Sequence, residues 1–306
     1  MKIAVTSKAF SKNEILISEL RKYFKDIKLN HGTRKLTEKE VIDFLEDCDG
    51  AIVALEDINR NVVDNLPKLK VIAKFGVGLD NIDIKYCKEK NIKIGWTAGV
   101  NKRSVAEMTL GFMLMLIRNL YTTSNKLSES IWDKNGGCNL YGKTIGIIGI
   151  GNIGKELIKI LNVFNCKILV NDIIEQNDYY KKNNLIESTK EEIFRQSDII
   201  TLHIPLDKMT TNLINKNTLQ MMKQTSFLIN TARGDLVNLT DLKYALQNNI
   251  IAGAAIDVYD QEPPSDKELL SLENLICTPH IGGNSKESTL AMGVSAIKHI
   301  KELLND

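Results

Sequence analysis

Histidine is scarce in this chain, and its absences narrow the chemistry as much as its abundances do. There are four histidines, His31, His203, His280 and His299, so the side chain best suited to acid–base work near neutral pH stands at few positions. The five cysteines, Cys48, Cys87, Cys138, Cys166 and Cys277, are odd in number and form no C-x-x-C pair. That argues against a disulfide framework and against the usual zinc spacings; no metal is expected, and the thiols are expected to be reduced, in or near the core, in a cytoplasmic protein. The longest apolar run, "MTLGFMLMLI", is about half of the ~20 residues that a membrane span needs. The N-terminus "MKIAVTSKAF" lacks the apolar region of a leader, so no membrane partner is expected. Charge of one sign is lacking too: lysine plus arginine number 40 against 38 for aspartate plus glutamate, a net +2 that excludes the positive field of a general nucleic-acid binder.

A length of 306 residues with 43% hydrophobic side chains exceeds the usual single core and predicts two domains. The strand-like "KIAVTS" is followed by "NEILISELRKYF", where Ile15, Leu16, Leu20 and Phe24 recur at helical spacing. Helical "TEKEVIDFLEDC", the strand "GAIVAL" and a helix stopped near Pro67 continue the alternation. A second series starts at "GKTIGIIGIGNIGKELIKILNVFNCKILVND" and continues through "SDIITLHIPL", "SFLINTARG", "IAGAAIDVY" and "NLICTPHIGG". Short, predominantly apolar and often β-branched runs in each predict strands buried on both faces, hence parallel sheets covered by helices, with a ligand cleft expected between the two α/β units. Ser104 and Glu107 have the form of a capping box and predict a helix start there, with apolar residues nearly all round. In the last segment Leu290, Val294, Ile297 and Leu304 are expected to mark the apolar face.

Gly149, Gly151 and Gly154 form a G-x-G-x-x-G directly after the strand "TIGIIG" and at the opening of a helix. In that setting the first glycine permits a tight turn, the second lets backbone approach a pyrophosphate, and the third packs helix on strand, with the amides of Asn152 and Ile153 facing the phosphates. Asp172 lies eighteen residues beyond Gly154, at the end of the next strand, where a carboxylate accepts from a ribose 2′-OH and repels a 2′-phosphate. Because Ile173 and Ile174 follow rather than arginine, the expected cofactor is NAD and not NADP.

Arg233 stands in "LINTARG", Glu262 in "AAIDVYDQEPP", and His280 follows "NLICTP". Ligands of open α/β sheets bind at such strand ends. A guanidinium can grip a carboxylate and polarise the neighbouring carbonyl of a 2-oxo acid, an imidazole can supply the proton that the ketone oxygen collects, and a carboxylate beside the imidazole favours its charged form.

These motifs, with "FGVGLDNID", "NKRSVAEMTLG" and "TPHIGG" in the same order, resemble the D-isomer-specific 2-hydroxyacid dehydrogenases of the phosphoglycerate dehydrogenase type, over nearly the whole length. The resemblance implies two Rossmann-like α/β domains, one flavodoxin-like and one NAD-binding. The substrate domain would be residues 1–98, completed by the C-terminal helix 286–306, and the NAD domain residues 99–285. It implies Arg233 as ligand of the substrate carboxylate and carbonyl, and His280 as acid/base supported by Glu262. Asp257 then matches the acid near the nicotinamide carboxamide; Ile204, Thr231, Ala232, Gly282 and Gly283 match cofactor-lining positions. Val77 and Gly78 match a backbone loop that holds the substrate carboxylate, and Asn101 a polar cleft residue. A homodimer through the 101–140 region is implied as well.

Phosphoglycerate-specific members carry arginines where this chain has Ala54 and Lys74, so Lys74 keeps one positive charge for a phosphate and Ala54 removes a forked donor. The family's usual Asn-Thr-Pro-Gly reads "WTAG", which places Trp96 at the cleft. The expected reaction is hydride transfer between NAD and C2 of a D-2-hydroxy acid or 2-oxo acid, D-3-phosphoglycerate and serine biosynthesis first, hydroxypyruvate or glyoxylate second. A C-terminal regulatory domain is not expected. An NAD-sensing binding protein or co-repressor is the alternative from another class; formate dehydrogenase is disfavoured because that branch carries glutamine where Glu262 stands.

Overall fold

A computed structural model of the chain describes residues 1–32 and 34–305. Asp306, the last residue of the expected final helix, lies outside the described residues. The chain divides into two compact units, Met1–Asn101 with Gly283–Asp306, and Lys102–Gly282.

The first unit is built on strands β1 (Lys2–Val5), β2 (Asp26–Leu29), β3 (Gly50–Val53), β4 (Val71–Lys74) and β5 (Lys93–Gly95), all parallel in the order β2-β1-β3-β4-β5. That is the flavodoxin-like winding, with both faces of the sheet covered. Ile3, Val5, Phe10, Leu16 and Val71 pack on one face with the helix Lys286–Asn305; Ala4, Val41, Leu45 and Ile72 pack on the other. Helix starts are written locally. Asn13 accepts from Ile15 and Leu16 amides, and Thr37 and Glu40 close a capping box.

The second unit holds β6 (Thr144–Ile148), β7 (Lys167–Asn171), β8 (Ile186–Glu187), β9 (Ile199–Leu202), β10 (Phe227–Asn230), β11 (Gly253–Ile256) and β12 (Leu275–Cys277). They form one parallel sheet in the order β12-β11-β10-β9-β6-β7-β8. Chain order reverses between β6 and β9, and the crevice outside the carboxyl ends of the strands at such a reversal is where this winding binds ligands. The loops after β6, β7, β9, β10, β11 and β12 carry Gly149, Asp172, Ile204, Arg233, Glu262 and His280. Six strand ends thus bring to one edge residues that are up to 131 positions apart in sequence.

Three local expectations are corrected. The helix Lys102–Ile117 begins two residues before Ser104, and Glu107 pairs with Arg103 at 2.6 Å instead of closing a capping box; the Ser104 hydroxyl donates instead to the Gly282 carbonyl at 2.7 Å. The final helix packs Leu290, Ile297 and Leu304 on the core as expected, but Val294 is 49% exposed and Met292, Ala296 and Ile300 are buried on that face instead. Cys138 is exposed, although Cys48 and Cys87 are buried; all five thiols are free. Among the described residues no helix is long and apolar enough to cross a membrane.

Candidate active site

The glycine turn after β6 has the shape that a pyrophosphate needs. Gly149 sits at φ +100°, and a Cβ there would lie 2.5 Å from the His203 carbonyl oxygen and 2.8 Å from Ile204. A Cβ on Gly154 would meet the Gly149 oxygen at 2.2 Å, so the helix Asn152–Leu161 packs directly on the turn. Gly151 faces open space and caps that helix without a side-chain hydrogen bond, leaving the first amides, those of Asn152 and Ile153 among them, for an anion. The Asp172 carboxylate holds the turn from β7, accepting from the Ile150 amide at 2.5 Å and the Ile174 amide at 2.9 Å. Ile173 beside it is 95% exposed, with no cation in that place. These residues fit a dinucleotide: a cradle of backbone amides with a carboxylate at its rim.

Arg233, Glu262 and His280 meet in the same unit. Both carboxylate oxygens of Glu262 lie on His280 Nδ1, at 2.8 and 3.0 Å. The Glu262 hydrogen bond and charge hold His280 above the ordinary imidazole range against the opposing effect of burial, with Asp257 adding to the rise and Arg233 reducing it. Burial pushes the Glu262 carboxyl up, but His280, the Tyr259 amide and Arg233 outweigh it and leave it below the usual carboxylate range. An ionised carboxylate only accepts, so Nδ1 carries its proton toward Glu262, and Nε2 is the ring nitrogen turned away from that pair. Arg233 stands in extended backbone at the end of β10, with Nη1 donating to the Ala232 carbonyl at 2.7 Å.

Several supports of this constellation escaped the reading of the sequence. Asn230, 1% exposed, accepts from the Ala232 amide at 3.1 Å and donates to the Arg233 carbonyl at 2.7 Å, folding the turn that presents the guanidinium. A Cβ on Gly234 would lie 2.0 Å from the Tyr259 carbonyl carbon, so only glycine lets the Arg233 turn approach the segment that carries Glu262. Asp257, 1% exposed, spends its carboxylate on the histidine loop: the Thr278 hydroxyl at 2.6 Å and the Ile281 and Gly282 amides at 2.8 and 2.7 Å. Asn230 folds its own turn within three residues, whereas Asp257 and Gly234 act on backbone that only the sheet brings near.

Of the other expected residues, Thr231 is buried with its hydroxyl 3.3 Å from that of Thr109, and Ile204 lies against the glycine turn. His203 is a different histidine: Nε2 meets the Thr201 hydroxyl at 3.0 Å, Nδ1 has no partner among the described residues, and burial pushes its pKa down to about 3, which keeps it neutral. In the first unit, Val77 and Gly78 are half-buried in the loop after β4, and Asn101 is buried beside Gly283. Lys74, 5% exposed, donates to the Ala54 carbonyl and to Asn81 Oδ1 at 2.6 Å.

A family model described as the NAD binding domain of D-isomer specific 2-hydroxyacid dehydrogenases matches residues 110–282. The chain is 35% identical to a D-3-phosphoglycerate dehydrogenase of Methanocaldococcus jannaschii over 88% of its own length and 52% of the relative's, so it spans about half of that protein. It is 34% identical to a hydroxypyruvate reductase of Thermotoga maritima, over 88% of its own length and 89% of the relative's. Among solved structures, a D-lactate dehydrogenase of Aquifex aeolicus complexed with NAD and lactic acid matches with a TM-score of 0.86 at 25% identity, covering 99% of this chain and 96% of that one. The chain belongs to the D-isomer specific 2-hydroxyacid dehydrogenase family, whose members are NAD-dependent oxidoreductases.

Proposed function

We propose that this chain interconverts a small D-2-hydroxy acid and its 2-oxo acid, with His280 as the proton donor and acceptor. The observation that carries the proposal is the two-point contact of Glu262 with His280 Nδ1 beside Arg233, within the unit that the NAD-binding model matches. Once bound, the nicotinamide dinucleotide would supply hydride in its reduced form and accept it in its oxidised form. The glycine turn with Asn152 and Ile153 holds its phosphates, and Asp172 selects the ribose hydroxyls of NAD over the phosphate of NADP. Ile204, Thr231, Ala232, Asp257, Gly282 and Gly283 are assigned to the cofactor side. Arg233 grips the substrate carboxylate and polarises the C2 carbonyl; His280 Nε2 protonates the oxygen in reduction and takes the proton back in oxidation. Val77, Gly78 and Asn101 of the first unit are assigned to the substrate acid.

The first substrate to test is the pair D-3-phosphoglycerate and 3-phosphohydroxypyruvate, supported by the similarity to the M. jannaschii enzyme and by the positive charge at Lys74. A second reading, an unphosphorylated acid such as hydroxypyruvate or glyoxylate, is favoured by the burial of Lys74 against Ala54 and Asn81. The partner reading is a homodimer through the 101–140 region, where Leu120, Leu127, Ile131 and Trp132 are 50–77% exposed. Its cytoplasmic setting is supported by the five free thiols. His280→Asn tests the function: turnover should fall by at least ~100-fold with NADH affinity nearly intact, as loss of a general acid requires. Unchanged turnover contradicts the assignment.

A further inference from the structure

We infer that Tyr259 is a positioning residue for the Glu262–His280 pair, bracing the carboxylate with its amide and the histidine turn with its phenol. This inference rests on the proposed role of that pair. The Tyr259 amide donates to Glu262 Oε1 at 3.2 Å, on the oxygen that also lies 3.0 Å from His280 Nδ1. Its phenol donates to the Thr278 carbonyl at 3.0 Å. That same carbonyl accepts the His280 amide at 3.1 Å, closing a tight turn around Pro279.

The turn needs outside support. His280 sits at φ +54°, in the left-handed region that a side chain with a Cβ adopts at a cost. Asp257 secures the turn through the Thr278 hydroxyl and the amides of Ile281 and Gly282, but none of those bonds reaches the Thr278 carbonyl. The phenol does. It remains a donor at every working pH, because burial first, and then Cys277, Asp257 and Glu262, push it well above the ordinary tyrosine range. Tyr259 is 6% exposed, so phenylalanine would fill the same space and remove only the hydroxyl, which also lies against the Cys277 thiol.

Tyr259→Phe in the full chain isolates that donor. The groups acting on the imidazole are Glu262, Asp257 and Arg233, and the substitution leaves all three in place. With a looser turn the two-point contact weakens, so the His280 pKa, followed by NMR of the ring protons and assigned with His280→Asn, should fall by about half a unit or more. Turnover in reduction should fall about three- to tenfold with NADH affinity unchanged. In Glu262→Gln the added Tyr259→Phe change should have little further effect on the titration, since both act through one contact. A thermal melt establishes that Tyr259→Phe is folded. An unchanged His280 pKa in the folded variant, or shifts that simply add in the double variant, overturn the inference. The titration needs no substrate, so wild-type protein inert toward every 2-oxo acid would remove the functional reading while leaving this result legible.

Discussion

Glu262→Gln should move the pH at which reduction fails. In the native pair the Nδ1 contacts at 2.8 and 3.0 Å are charge-assisted, and such bonds contribute about 1.5–3 kcal/mol. The His280 and Glu262 side chains are 42% and 35% exposed, so solvent screening brings the figure to about 1–1.5 kcal/mol. At 1.36 kcal/mol per unit, the amide variant should titrate its imidazole about one unit lower. Reduction requires the protonated ring; its kcat/KM is therefore level at low pH and declines above the His280 pKa. Since Glu262 raises that pKa, the decline in the variant should begin about one unit earlier, with a loss near tenfold above both values and little loss well below them. Oxidation requires the neutral ring, so its rising limb should move down by the same amount. The assay is NADH consumption, and NAD reduction in the other direction, across the pH range with both proteins. A limb that stays in place, or moves upward, refutes the coupling of Glu262 to the proton donor.

Gly234→Ala should lower the thermal midpoint by several degrees and depress turnover, because the new methyl would overlap the Tyr259 carbonyl at 2.0–2.1 Å and push the Glu262 segment away; a melt indistinguishable from wild type contradicts the packing. Asp172→Ala should narrow the preference for NADH over NADPH in kcat/KM, and a wild type that already prefers NADPH refutes that carboxylate's role. Lys74→Ala separates the substrate readings: a KM rise above about tenfold for phosphohydroxypyruvate and not for glyoxylate marks a phosphate ligand. Equal changes for both acids together with a lower melting point mark a structural ammonium, whose loss takes a donor from Asn81 Oδ1 and one of two donors from the Ala54 carbonyl.

Strand runs such as "IITL" and "GAAI" were legible because burial on both faces leaves them almost wholly apolar, Thr201 being the one hydroxyl, and each became a strand of the second sheet. The glycine turn was legible for the same local reason: its demands fall on consecutive residues. Ser104 misled because a capping pattern specifies only a neighbourhood, and its hydroxyl was taken by a carbonyl 178 residues away. Asp257, Asn230 and Tyr259 were illegible as supports for a different reason. Their partners are turns on their own or neighbouring strand ends, and nothing in the residue types distinguishes such a clamp from a solvated polar group. His280 is singled out in the sequence by its chemistry, yet its left-handed backbone leaves no mark there.

The most direct test of the account is NADH oxidation by wild type and His280→Asn against phosphohydroxypyruvate, hydroxypyruvate, glyoxylate and pyruvate. The expected result is turnover of at least one acid by the wild type and a loss of ~100-fold or more in the variant at equal NADH saturation. Turnover of none by the wild type, or equal turnover by both proteins, would contradict it.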